Sequence, residues 1–107
     1  MADARAAAQA AVRHILESPC LADRCRPLLA GGEVDWPVLL AEADAMSGGQ
    51  RLLVHVAHDL WAGTGAVRLR QVACALDSTH LERVVTALRF VHGDEAAASR
   101  AGFRVAA

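Results

Sequence analysis

The residues best suited to chemistry in this chain are two histidines and an aspartate, His55, His58 and Asp59. Positions i, i+3 and i+4 share one face of a helix, so two imidazoles and a carboxylate would project together. These groups are common ligands of zinc and other divalent ions. The pattern therefore predicts either a metal site or a solvated polar face in which Asp59 pairs with His55.

The three cysteines, Cys20, Cys25 and Cys74, are the other candidates for ligation or nucleophilic chemistry. Five residues on one helix rotate the Cys25 thiol by about 140° from that of Cys20. Zinc motifs usually hold cysteines in turns at spacings of two to four residues. Because the number is odd and no framework spacing is present, we expect reduced thiols, with Cys20 and Cys25 buried.

Residues 46–51 form the most specific string of the chain, Met-Ser-Gly-Gly-Gln-Arg. It resembles the signature loop of ABC-type ATPases, which implies contact with a nucleotide held by a second loop. This chain contains no lysine, so it has no P-loop to hold that nucleotide. Ser47 and Gln50 also have the spacing of a capping box. We expect Ser47-Gly48-Gly49-Gln50 to start a helix, with any anion bound at its free N–H groups being incidental.

The order of elements over residues 50–105 resembles that of winged-helix DNA-binding domains. The resemblance implies, in order, a helix at 50–62, a strand at Val67-Arg68-Leu69, a helix to Leu76, a recognition helix at 79–92 and a closing strand at Phe103-Arg104-Val105. Over residues 66–92, four arginines against Asp77 and Glu82 leave a charge of +2, a small footprint for phosphate. Arg83 and Arg89 lie about 120° apart on a helix and do not form one base-reading edge.

The helix at 79–92 also carries the candidate protein interface. Its apolar stripe is expected to face the core and consists of Leu81, Val84, Val85, Leu88 and Val91. Phe90 lies opposite that stripe, among Arg83 and Arg89, so its ring should be exposed unless another segment covers it. The N-terminal helix and the tail, through Phe103 and Val105, are the alternatives for that cover. Aromatic residues and arginine are enriched in interface cores, so Phe90, Arg83 and Arg89 form the predicted contact face.

Helix-start and helix-stop residues predict five or six short helices that position these side chains. The predicted segments run from Asp3 to about Glu17, from Ser18-Pro19 to an interruption at Pro27, from Asp35 to about Met46, over 48–62, over 68–76 and over 79–92, with Gly93 as the last stop. We expect an all-α, single-core orthogonal bundle over residues 1–93, with the pair 48–62 and 79–92 at its centre. Residues 94–107 are expected to form a flexible tail with room for one short strand.

Length and composition restrict the class of protein. A chain of 107 residues is one domain by length, and its net charge of −1 gives no overall attraction to nucleic acid or anionic membranes. No secretory leader or apolar stretch of about 20 residues is present, and with reduced thiols this favours a cytoplasmic protein. No nucleophile, base and oxyanion donors can be assembled, so we expect no enzyme, no cofactor and no small-molecule substrate.

The leading functional hypothesis is a small non-catalytic helical interaction or adaptor protein that docks on a protein partner or self-associates. The second hypothesis is a degenerate winged-helix DNA-binding regulator. The third is a helical protein that binds a metal through His55, His58 and Asp59.

Overall fold

In a computed structural model that describes residues 4–29 and 32–93, the chain forms short helices joined by tight connections. In chain order these are α1 (Ala4–Leu16), α2 (Ala22–Cys25), a turn of 3-10 helix (Arg26–Leu29), α3 (Trp36–Ala43), α4 (Gly48–Ala62), α5 (Leu69–Ala75) and α6 (Ser78–His92). The predicted all-α fold is confirmed, and no strand occurs within the described ranges. The predicted tail with its short strand, and the cap at Asp3, lie outside these residues.

Three helix starts follow the local sequence. Asp35 accepts a 3.3 Å hydrogen bond from the backbone N–H of Val38 and caps α3. Ser47 caps α4 in the predicted capping box. At α6 the cap is Asp77, which accepts a 2.9 Å bond from the His80 N–H, so the helix begins at Ser78, one residue before the predicted start at 79. A carboxylate is a stronger acceptor than a hydroxyl for the free N–H groups of a helix start.

The segment Ser18-Pro19 was expected to open a helix, and this prediction is wrong. The buried Ser18 hydroxyl instead donates a 2.6 Å bond to the Ile15 carbonyl and finishes α1. The last carbonyls of a helix lack partners within it, so a hydroxyl placed just beyond the end satisfies one of them. The next helix, α2, therefore begins only at Ala22. Pro27 interrupts it as predicted, since the chain continues there as a 3-10 turn.

The strand that the winged-helix resemblance implies at 67–69 does not form. Residues 63–68 are a loop, and Leu69 already begins α5. The backbone N–H of Val67 donates to Asp59 at 3.2 Å, so a side chain of α4, rather than a neighbouring strand, binds this donor.

The N-terminal helix occupies the centre of the bundle, which the sequence assigned to the pair 48–62 and 79–92. Helix α1 packs against both α4 and α6, whereas α4 and α6 touch each other only briefly. Ala7 and Ala11 are buried along α1, and such small side chains allow close approach of neighbouring helices. Val12, Ile15 and Leu16 then fill the core as predicted.

The buried side of α6 differs from the predicted one. Val84, Ala87 and Phe90 face the core, while Leu88 is 47% exposed and Val91 43% exposed. Apolar residues cover more of the circumference of α6 than α1 can bury. Phe90 presents the largest apolar area among these residues, so burying it gains the most.

Candidate interaction surface

The proposed metal ligands on α4 are not brought together. His58 packs its ring against Trp36, with ring centroids 4.9 Å apart. The Asp59 carboxylate accepts hydrogen bonds from the Gly65 N–H at 2.6 Å, the Thr64 hydroxyl at 3.0 Å and the Val67 N–H at 3.2 Å. Within residues 4–29 and 32–93, no three His, Cys, Asp or Glu side chains are placed to hold a metal. The prediction of a metal site at His55, His58 and Asp59 is therefore wrong.

Asp59 has a structural role instead. Its carboxylate fastens the loop that follows α4, and Gly63 ends the helix with the left-handed backbone (φ 64°) that glycine adopts without steric cost. The Gly65 N–H is the main cause of a lowered pKa for the Asp59 carboxyl, and the Val67 N–H and Thr64 hydroxyl add to it. These donors favour the charged carboxylate.

The signature-like loop is closed by its own side chains. The Ser47 hydroxyl accepts a 3.3 Å bond from the Gln50 N–H, and the Gln50 amide oxygen accepts one from the Ser47 N–H. The Gln50 amide nitrogen also donates to the Cys20 carbonyl at 2.8 Å. The predicted helix start is confirmed, and Gln50 additionally ties it to the chain that follows α1.

The polar groups around this loop do not favour a bound anion at Ser47-Gly48-Gly49-Gln50. A cleft of about 210 Å³ beside it includes Asp77, whose carboxylate would repel an anion. The His80 N–H is the main cause of a lowered pKa for Asp77, so that charge persists at neutral pH. Arg51 turns away from the cleft and donates to the Ala43 and Met46 carbonyls, each at 3.2 Å, where it caps the end of α3.

Two of the three cysteines, Cys20 and Cys25, are poorly suited to nucleophilic chemistry. Cys25 is buried, as predicted, whereas Cys20 is half-buried and Cys74 is exposed. Burial raises the pKa of both the Cys20 and the Cys25 thiols. Because the thiolate is the nucleophile, a raised pKa lowers the reactivity of these two side chains at neutral pH.

A cleft of about 280 Å³ between α1, the loop before α3 and the end of α4 contains both tryptophans, Trp36 and Trp61. Sequence reasoning missed this cleft because it assigned Trp61 to the buried arc of α4. Two of its polar side chains are engaged within the chain: the Gln9 amide donates to the Gly32 carbonyl at 2.8 Å, and the Arg5 guanidinium lies 5.6 Å from the Trp61 ring centre. We therefore interpret it as a packing groove that joins α1 to α4.

The predicted contact residues on α6 are divided between two sides of the helix. Phe90 is 3% exposed and packs beside His14, with ring centroids 5.3 Å apart, so its assignment to an exposed contact face is wrong. Arg83 is half-buried and donates to the His14 carbonyl at 2.7 Å. Arg89 is exposed. The cover over Phe90 is α1, one of the alternatives that the sequence left open.

The exposed apolar surface that remains is concentrated on α6. Of the large apolar side chains that are exposed among the described residues, three lie singly on different helices: Val38, Trp61 and Leu69. The other two, Leu88 and Val91, share α6. Isolated apolar side chains are normal on protein surfaces, whereas contiguous ones mark contact sites.

We define the α6 outer stripe as Leu81, Val85 and Leu88, which follow one another at spacings of four and three residues. Leu81 and Val85 are half-buried, and Leu88 is exposed. Sequence reasoning identified these residues as a stripe but placed them in the core.

No protein-family model, no curated protein and no solved structure matches this chain. Within the described part of the chain, no helix combines the length and apolar character needed to cross a membrane.

Proposed function

We propose that this chain is a helical interaction protein that acts through the α6 outer stripe, by self-association or by docking on another protein. The observation that carries the proposal is the 47% exposure of Leu88 beside the half-buried Leu81 and Val85. Removing apolar surface from water is worth about 25 cal/mol per Å², so a contact that covers this stripe is favourable.

The opposite side of α6 supports this proposal because it holds the stripe in place. Phe90 is packed beneath α1, and Arg83 is hydrogen-bonded to the end of that helix. A helix face that is fixed before binding loses little conformational freedom when a partner docks, which favours association. Apolar anchors at i, i+4 and i+7 are also the usual reading frame for one helix laid against another.

The other two hypotheses gain less support. A metal-dependent function gains no support, since the Asp59 carboxylate binds the loop after α4 and no three His, Cys, Asp or Glu side chains among the described residues are placed to hold a metal. DNA binding gains no support from α6, because Arg83 is engaged by the His14 carbonyl and Arg89 projects from another side of the helix.

Light scattering during size-exclusion chromatography tests the proposal with Leu88→Ser. The control is Leu69→Ser, since Leu69 is 82% exposed but lies alone at the start of α5. If the chain self-associates, the apparent mass of the wild type and of Leu69→Ser should rise with concentration, and that of Leu88→Ser should not. If the chain docks on another protein, the wild type and Leu69→Ser should retain the same bound protein in affinity capture, and Leu88→Ser should lose it. Circular dichroism checks that the variants remain folded. If wild type and Leu88→Ser stay monomeric and capture the same proteins, the proposal fails.

A further inference from the structure

We propose that the outward side of α5 is a second docking surface, which binds an extended acidic segment of a protein partner. The surface lines an open groove of about 600 Å³, and we call it the α5 basic groove; its residues are Arg68, Arg70, Gln71, Cys74 and Ala75. It shares no residue with the α6 outer stripe, so the inference goes beyond the proposed function and stands independently of it.

Helix α5 leaves most of its surface uncovered. It packs against α4, and of its seven residues only Val72 is buried. The other six residues are exposed. A helix that is anchored by a single buried side chain presents an open side for a partner to contact.

The two arginines of the groove have no partner among the described residues. Arg68 and Arg70 are exposed, and neither guanidinium forms a hydrogen bond, an ion pair or a ring contact there. Arg26, by contrast, pairs with Asp23 at 3.1 Å. Within the described part of the chain no carboxylate lines the groove, so its two positive charges are not neutralised.

The backbone that carries these arginines is held in place before a partner binds. The Asp59 carboxylate accepts bonds from the N–H groups of Gly65 and Val67, directly before Arg68. The Arg68 carbonyl then accepts a 3.2 Å bond from the Val72 N–H in the first turn of α5. A surface whose backbone is already fixed loses less conformational freedom on binding, which favours association.

The lining of the groove fits carboxylates on both sides of an extended chain. Two positions along a helix correspond to a rotation of about 200°, so Arg68 and Arg70 border opposite sides of the groove. Neighbouring side chains of an extended segment also point to opposite sides, so two consecutive acidic residues would each meet one guanidinium. The Gln71 amide lies between the arginines and offers a donor and an acceptor to the backbone of that segment. The small side chains of Cys74 and Ala75 leave room for this backbone to approach.

A nucleic acid fits this surface less well than an acidic segment does. The net charge of −1 on the chain gives no overall attraction to a polyanion, and two arginines neutralise only two phosphates. A short acidic segment needs no more than these two contacts. The charge of the groove therefore favours a protein partner.

Titration of the full chain with a tetraglutamate peptide, blocked at both ends, tests the inference by NMR at low salt. We expect saturable shifts of the Gln71 and Cys74 amide signals. Arg68→Gln and Arg70→Gln should each weaken the affinity about threefold to tenfold, and the double variant should show no saturable binding. Arg24→Gln removes an exposed arginine outside the groove, so it is the matched control and should bind like the wild type. A blocked tetraglutamine peptide should not bind.

Three results would overturn the inference. The first is the absence of saturable shifts at Gln71 and Cys74, and the second is an equal loss of affinity in Arg24→Gln and Arg70→Gln. The third is tighter binding of inorganic phosphate or of a thymidine oligonucleotide in the groove, since the occupant would then be a phosphate. Leu88→Ser should bind tetraglutamate like the wild type, so the peptide titration and the test of the α6 outer stripe fail separately.

Discussion

The guanidinium of Arg83 donates a 2.7 Å hydrogen bond to the carbonyl oxygen of His14, 69 residues earlier in the chain. This carbonyl lies in the last turn of α1, where backbone acceptors have no partner within the helix. A cationic donor at the negative end of a helix is favourable, so the contact joins α6 to α1 through more than apolar packing.

Removing this contact should destabilise the fold. We expect Arg83→Ala to lower the free energy of unfolding by about 1–2 kcal/mol, since a charged hydrogen bond is lost from a half-buried site. Arg70→Ala, at an exposed site on α5, should change it by less than about 0.5 kcal/mol. Urea denaturation followed by circular dichroism measures both. Equal effects for the two arginines would show that the Arg83 bond adds no stability.

Phe90 should be a core residue by energetics as well as by position. Phe90→Ala is expected to cost about 3–5 kcal/mol of stability, because it leaves a cavity beneath α1. The matched truncation on the exposed side, Leu88→Ala, should cost less than about 1 kcal/mol. Phe90→Leu provides a milder test if Phe90→Ala does not fold. Thermal unfolding of the three variants measures this order. If Leu88→Ala is the least stable of them, the assignment of Phe90 to the buried face of α6 and of Leu88 to the exposed face is contradicted.

Stability should fall as the solution becomes acidic, partly through His14. Burial is the main cause of a lowered pKa for this imidazole, the nearby Arg83 lowers it further, and Glu17 opposes the shift. The unfolded chain therefore binds a proton at about pH 6.5 that the folded chain does not yet bind. Stability is lost as pH falls below that value, until the folded-state pKa is passed.

The variant His14→Gln removes this titration. Unfolding free energies measured between about pH 7.5 and pH 5 should decline less for His14→Gln than for the wild type. Parallel declines would show that His14 does not contribute to the acid sensitivity.

The Asp59 carboxylate should control the loop at 63–67. In Asp59→Asn the acceptor of the Gly65 N–H loses its charge, so we expect faster amide exchange at Gly65 and Val67 by NMR. The lowered pKa means that the stabilisation is present above the carboxyl's ordinary pKa of 3.8 and is lost as pH falls through the folded-state value. Asp44→Asn, on an exposed site, is the control, and unchanged exchange in Asp59→Asn would refute this role.

The cap of α4 gives a local test. Ser47→Ala removes the acceptor of the Gln50 N–H and should cost about 1 kcal/mol. Ser78→Ala, at the first position of α6 where Asp77 is the cap, should have a smaller effect on urea denaturation. A neutral Ser47→Ala would mean that water replaces the hydroxyl without loss.

Most helix boundaries were predictable because they depend on atoms a few residues apart. The caps at Asp35 and Ser47, and the stop at Gly93, each form bonds within four residues. The wrong prediction at Ser18 also concerns bonds over a few residues. The Ser18 hydroxyl can accept a bond from the residues after it and cap a helix, or donate to a carbonyl before it and end one. Local sequence permits both, and packing after α1 selects the second.

The candidate sites were less predictable, since same-face spacing does not show what else a side chain meets. His58 and Asp59 are neighbours in the sequence, but the His58 ring packs against Trp36 and the Asp59 carboxylate binds the loop at 64–67. The outer stripe was visible as a pattern in Leu81, Val85 and Leu88. The exposure of this stripe could not be predicted, because apolar residues cover so much of α6 that either of two faces could be the buried one.

By itself, the sequence determined an all-α chain, the capped starts of α3 and α4, and the core residues Val12, Ile15 and Leu16 of α1. Backbone hydrogen bonding and short-range capping govern these features. Only the tertiary structure decided that α1 lies between α4 and α6, that Phe90 and Arg83 face inward, and that the outer stripe faces outward. The physical reason is that α1 can cover only one side of α6, and the side with the aromatic ring buries more apolar surface.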